Sequence, residues 1–170
     1  MFQNILAFDS ACKTCSVCYF AEGVTAASFF SKSGLTHSQT LLPAIEKTLA
    51  NAGRTLRETD CIALTAGPGS FTGLKIGAAT AKGLAFAYDI PCVPVSTLTV
   101  LAYGLRGKTG ILCPVLDARR NLLYNALFVC NEGKIERMTQ DRQISVKDLK
   151  AELAGCGKPV FLAGDGMQIA

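Results

Sequence analysis

Gln3-Asn4-Ile5-Leu6-Ala7-Phe8-Asp9, followed by Cys15–Ala21 and Val24–Ser31, reads as three successive strands. β-branched, aromatic and small apolar residues dominate each run, and Glu22-Gly23 supplies a tight turn, so the three form an antiparallel meander. A helix follows from about Ser38 to Ala52, with Leu41, Leu42, Ile45 and Leu49 on one face, Thr40 as cap, Pro43 in the first turn and Gly53 as terminator. A strand at Cys61–Thr65, a glycine-rich loop from Ala66 to Thr72, a helix from Gly73 to Tyr88, a strand at Cys92–Val95 and a helix at Thr97–Tyr103 complete the order βββαβαβα. After the polar stretch Gly104 to Gly110 the pattern restarts, with strands at Ile111–Leu116, Leu122–Cys130 and Lys134–Met138, a helix near Val146–Leu153 and a strand at Pro159–Leu162. Two meander-then-αβ units, with Asp9 and Asp117 where their first strands end, predict an α/β fold of the ribonuclease H-like, actin-like ATPase kind. The expected lobes, of βββαβα type, are residues 1–106 and 107–170, the second incomplete or shortened after its fourth strand.

Composition narrows the function classes. With 170 residues, 49% hydrophobic, 18% charged and a mean hydropathy of +0.31, the chain carries a full core and more apolar residues than a small monomer needs. Some apolar surface is therefore expected to meet a partner. No apolar run approaches the roughly 18 to 20 residues of a membrane helix, and Met1 to Phe8 lacks the features of a signal peptide, so the expected location is the cytoplasm with no membrane contact. Eight cysteines without an export signal read as reduced core thiols. The net charge of +4 comes from scattered basic residues.

An actin-like ATPase needs glycine-rich hairpins after each Asp, so that backbone N–H groups reach phosphates. Here Ser10-Ala11-Cys12-Lys13 and Ala118-Arg119-Arg120-Asn121 stand there, without glycine. Asp9 and Asp117 are therefore at most a degenerate nucleotide cleft, and each is expected to organise a strand end. Gly67-Pro68-Gly69-Ser70-Phe71-Thr72-Gly73 lacks the Lys-Ser or Lys-Thr of a P-loop and reads as a tight strand-to-helix connection capped by Thr72. Cys12, Cys15 and Cys18 lack a fourth iron–sulfur ligand, and with His37 the single histidine no two-histidine metal site can form. No metal site and no catalytic residue are expected.

The helix after the glycine loop is apolar on two sides. At 100° per residue Leu74, Gly77, Ala78, Ala81, Leu84, Ala85 and Tyr88 can cover a sheet, while Ile76, Ala79, Thr80, Gly83, Phe86 and Ala87 lie opposite. Small Ala79 and Gly83, one turn apart, would admit another helix closely.

Taken with Ile5-Leu6-Ala7-Phe8-Asp9-Ser10, His37 before Leu41-Leu42-Pro43, Ala81-Lys82-Gly83-Leu84-Ala85, Val95-Ser96-Thr97-Leu98 and Asp117-Ala118-Arg119, this stretch strongly resembles the bacterial TsaB (YeaZ) family. The resemblance covers nearly the whole chain. It differs in Ser10, where the family usually has Thr, in Arg120-Asn121-Leu122, and in the family's extension beyond position 170. The resemblance implies a non-catalytic scaffold of the machinery that puts threonylcarbamoyl on the adenosine beside the anticodon of tRNA. It implies pairing with the catalytic paralogue TsaD, contact through that pair with the ATPase TsaE, and homodimers when alone. ATP and metal would belong to the partners, tRNA contact would be indirect, and the chain alone would be no enzyme. The interface would use Ile76, Ala79, Thr80, Gly83, Phe86 and Ala87, supported by His37, Thr40, Ala44 and Thr48 of the preceding helix. The rivals are a degenerate ATP-binding protein with weak activity at Asp9 and Asp117, and direct tRNA binding by Arg106, Lys108, Arg119 and Arg120.

Overall fold

The structure, a computed structural model, describes residues 2–170. It divides into two compact units, one reaching to Val95 and one spanning Ser96–Ala170. This division falls upstream of the 106/107 boundary drawn from the glycine-flanked linker, because the helix Thr97–Gly104 packs on the first strand of the second unit.

The first unit holds β1 (Asn4–Asp9), β2 (Cys15–Ala21), β3 (Val24–Ser31), β4 (Cys61–Gly67) and β5 (Cys92–Ser96) in the order β3-β2-β1-β4-β5. β1 to β3 form the antiparallel meander and β4 joins β1 in parallel, the ribonuclease H-like arrangement expected from the sequence. Alternation decides which face is buried: Cys15, Val17, Tyr19 and Ala21 of β2 join Leu6, Phe8, Ile62 and Leu64 in one core with the helices α1 (His37–Asn51) and α2 (Phe71–Tyr88). At the end of this sheet the Asp60 carboxylate accepts the Gln3 and Asn4 backbone N–H groups at 2.9 and 2.8 Å, which hold its acid strength above that of a free Asp. A depressed folded-state value means that this stabilisation is present above the unfolded value near pH 4 and fades as pH falls through the folded one. Asp60→Asn should flatten that part of the acid-denaturation profile.

Both helices begin earlier than their sequence signals suggest. Thr36 is the cap of α1, with Gln39 Oε1 accepting the Thr36 N–H at 3.3 Å, so Pro43 lies in the second turn and not the first. Ser70, not Thr72, caps α2, its Oγ accepting the Gly73 N–H at 3.3 Å. In each case an earlier hydroxyl was available to satisfy the free N–H groups of the first turn.

The second unit holds α3 (Thr97–Gly104), β6 (Gly110–Asp117), β7 (Leu122–Asn125), β8 (Phe128–Asn131), β9 (Lys134–Arg137), β10 (Arg142–Ser145), α4 (Val146–Ala154) and β11 (Val160–Ala163). β11 runs parallel to β6 and the others pair antiparallel, so four of the five strand positions of the first sheet recur here. β7 and β8 keep one register along β6 but are interrupted at Ala126 and Leu127, opposite Pro114, which has no N–H to donate. The expected strand Leu122–Cys130 is thus two. β10 was not anticipated, since Arg142-Gln143-Ile144-Ser145 offers a single apolar residue.

Asn125 repairs the interruption. Fully buried, it donates from Nδ2 to the Pro114 carbonyl at 3.1 Å and accepts Arg142 Nη2 at 3.1 Å on Oδ1, while Arg142 also pairs with Glu152 at 2.7 Å. Asn125→Ala should cost about 2 to 4 kcal/mol, because it strands a carbonyl and part of a guanidinium away from water. Chemical denaturation of the variant checks this.

Candidate interaction face and the two aspartate turns

α2 presents two unlike faces. Gly73, Gly77 and Ala81 are buried and Leu74, Ala78, Leu84 and Ala85 half-buried toward the sheet and α1. Tyr88, expected on that side, is instead 44% exposed, because it ends the helix and stacks beneath the Arg57 guanidinium at 5.2 Å. On the other side Ala79, Gly83, Phe86 and Ala87 are exposed, and Phe86 is 92% exposed. Nothing lies within 4 Å of where a Cβ on Gly83 would stand. Ile76 and Thr80 are only half-buried at the border, and Ile76 packs on the unit's own core. Phe71, assigned to the loop by the sequence pattern, is the first residue of α2 and 72% exposed, with the Lys75 ammonium 4.2 Å from its ring. At 100° per residue it shares the arc of Ala79 and Phe86. Burying one such ring is worth about 1.5 to 3 kcal/mol, so the uncovered strip is a binding resource.

The α1 residues expected beside it divide. His37 is half-buried; its Nε2 donates to the Cys12 carbonyl at 2.7 Å, and Thr40 donates to the Thr36 carbonyl at 3.1 Å. Ala44 and Thr48 are 2% and 1% exposed, and Thr48 Oγ1 donates to the Ala44 carbonyl at 2.7 Å. They belong to this unit's core and cannot meet a partner without opening it. Their spacing with Leu41 and Ile45 is that of a core-facing helical stripe, the signal that assigns them inward.

Each aspartate closes its own turn. Asp9 Oδ1 accepts the Ala11 N–H at 3.0 Å and the Thr65 hydroxyl. Asp117 Oδ1 accepts the Arg119 N–H at 2.7 Å, while the Asp117 N–H donates to Asp165 at 3.1 Å. Arg119, Arg120 and Asn121 all hold positive φ (66, 53 and 59°). The space before the glycine loop is filled by the chain itself: Ser70 N–H donates to the Ala11 carbonyl at 2.7 Å and Ser10 Oγ to the Gly73 carbonyl at 2.9 Å. A Cβ on Gly69 would strike the Ala11 carbonyl oxygen, one on Gly73 the Ser10 carbonyl oxygen, and one on Gly77 the Ser10 hydroxyl. The glycines admit the β1–β2 turn to the start of α2, a role that sequence spacing does not disclose.

Cys15, Cys61, Cys113 and Cys130 are core side chains as expected, whereas Cys12, Cys18 and Cys156 are half-buried and Cys92 is exposed. Burial raises Cys15 and Cys61 and pushes Cys113 up to about 11, which keeps them protonated at neutral pH. Cys15 is buried on the helix side of β2 and Cys18 is half-buried on the opposite side. Among the described residues no three His, Cys, Asp or Glu side chains are grouped to hold a metal ion, and no helix is long and apolar enough to cross a membrane.

Similarity to known proteins follows the same lines. Residues 31–159 match the family described as "TsaD: tRNA N6-adenosine threonylcarbamoyltransferase". The chain is 31% identical over 162 residues to the tRNA threonylcarbamoyladenosine biosynthesis protein TsaB of Bacillus subtilis, covering 95% of this chain and 71% of that protein. It is 37% identical over 169 residues to TsaB of Buchnera aphidicola subsp. Schizaphis graminum, covering 98% and 80%. For TsaB of Escherichia coli the identity is 36% over 135 residues, covering 78% of this chain but 58% of the relative. The solved structure of YeaZ from Pseudomonas aeruginosa superposes with a TM-score of 0.78 at 30% identity, over 84% of this chain and 68% of that one. On sequence and on fold, the chain belongs to the TsaB (YeaZ) family.

Proposed function

We propose that this chain is a non-catalytic scaffold in threonylcarbamoyladenosine synthesis on tRNA, acting in the cytoplasm by pairing with a TsaD-type catalytic subunit and through it with a TsaE-type ATPase. The observation that carries the reading is the strip Phe71, Ala79, Gly83 and Phe86, apolar and exposed on a helix whose other face is built into its own core. Two small residues one turn apart let a partner helix approach closely enough to bury both rings. Alone, the same strip would pair with a second copy.

The chemistry is assigned to the partners. A nucleotide at Asp9 would have to displace Ser10 and Ala11 from the glycine loop, so neither ATP nor a metal is assigned to this chain, and tRNA is modified by the assembled complex. Reconstitution tests this: partner, ATPase, ATP, preformed threonylcarbamoyl-adenylate as the activated donor, and tRNA should give modified tRNA, with AMP released from the donor, only when this chain is added. Equal modification without it would contradict the scaffold role. Saturable ATP binding by the isolated chain, lost on Asp9→Ala, would favour the degenerate-ATPase rival.

A further inference from the structure

The ionic contacts of the second unit leave its positive charge unevenly placed. Lys134, Arg137 and Arg142 are each paired with an acid, at 2.7, 2.6 and 2.7 Å. Arg119, Arg120, Lys147 and Lys150 are exposed and, among the described residues, have no acidic side-chain partner. They are close in space although not in sequence, because the Asn121 carbonyl accepts the Val146 N–H at 3.3 Å and so ties the Arg119–Asn121 turn to the start of α4. Asn121, Ser145, Val146, Lys147, Lys150 and Ile169 line an open cleft of about 500 Å³ at this junction.

The nearby acids keep their charge but bond to neutral donors, and among the described residues none forms an ion pair with the four cations. Asp148 Oδ2 accepts the Ser145 hydroxyl at 2.7 Å, Asp117 accepts the Arg119 N–H, and Asp165 accepts the Asp117 N–H. The start of α4 is also closed by its own chain, since Val146 N–H meets Asn121 and Asp148 N–H meets Ser145 Oγ at 3.0 Å. Any anion here would therefore be held by flexible side-chain cations and not by a ring of backbone N–H groups. That suits a polyanion lying along a surface: charges that are solvated and spread over two elements neutralise successive phosphates by releasing counterions. It does not suit a small ligand, which needs buried polar groups to orient it.

We propose that Lys147 and Lys150, with Arg119 and Arg120 on the adjoining turn, contact the phosphodiester backbone of tRNA. The inference rests on the reading of this chain as part of a tRNA-modifying assembly and adds to it a direct RNA contact in the second unit. The test is titration of fluorescein-labelled tRNA into the chain bound to its TsaD-type partner at several salt concentrations, comparing wild type, Lys147→Glu with Lys150→Glu, and Lys158→Glu as an exposed charge control outside the cleft lining.

The double variant should weaken tRNA binding by about tenfold or more and lower the slope of log affinity against log salt by about 2, one unit per lost phosphate contact. Lys158→Glu should change affinity less than about threefold on the same ground. Unchanged affinity and slope in the double variant, or an equal loss in Lys158→Glu, would overturn the contact. Displacement of tRNA by low-millimolar inorganic phosphate at constant ionic strength would overturn it in favour of a small-anion site. Sedimentation of the same samples separates the two ideas. Normal pairing with unchanged tRNA affinity overturns the cleft alone, whereas tRNA binding through these lysines by a chain that never pairs supports the cleft and overturns the pairing.

Discussion

Ala79→Arg is expected to weaken association with the TsaD-type partner by at least about 100-fold while leaving the melting temperature of the chain unchanged at a dilution where it is monomeric. Ala79 is exposed, so the new side chain meets only water in the free protein; in the complex it would hold two helices apart and bury a charge without a counterpart. Gly83→Arg gives a sharper version, because its two effects have opposite signs. Nothing stands within 4 Å of its Cβ position, and replacing an interior helical glycine with arginine should stabilise the free chain by about 0.5 to 1 kcal/mol. Sedimentation of each variant with the partner, beside thermal unfolding of the free chain, separates lost association from lost fold. Ala44→Arg would be a poor probe, since Ala44 is 2% exposed and its replacement would disturb the core first.

The second large effect is on stability. Gly73→Ala should destabilise the first unit by about 3 kcal/mol or more. The added methyl enters the space of the Ser10 carbonyl oxygen, and His37 Cδ2 is 3.3 Å away on the other side, so relief requires moving backbone. The β1–β2 turn, the start of α1 and the start of α2 converge at that point through Ser10, His37 and Gly73. Gly83→Ala in the same helix is the control, with an expected gain of up to about 1 kcal/mol. A denaturation midpoint for Gly73→Ala equal to the parent would show that the turn is not seated against the helix.

Sequence read well where the cause is local. The meander of β1 to β3 and the strand-loop-helix of β4 and α2 depend on neighbours within a turn or a strand pair, and they stand in the structure; the two faces of α2 stand in part, with Tyr88 exposed and Ile76 packed on the core. It read poorly where the cause is distant. Ala44 and Thr48 look like small interface residues until α2 and the sheet are placed around them. The glycines after β4 read as a tight connection, which they make, but only their proximity to Ser10 and Ala11 reveals why glycine is needed there. The break at Pro114 is repaired by Asn125, whose partner Arg142 sits on β10, a strand too polar to announce itself. The cleft of Lys147 and Lys150 likewise depends on one backbone bond, from Val146 to Asn121.

Hydroxyl-radical footprinting of Phe86, at a dilution where the free chain sediments as a monomer and with and without the TsaD-type partner, tests the central claim most directly, since a ring 92% exposed in the single chain reports any surface laid upon it. The account predicts that oxidation of Phe86 falls by about fivefold or more on mixing, as expected for an aromatic anchor taken out of water, while exposed Phe30 on β3 keeps its rate. Phe86 oxidised equally in the free chain and in a demonstrated complex would contradict it.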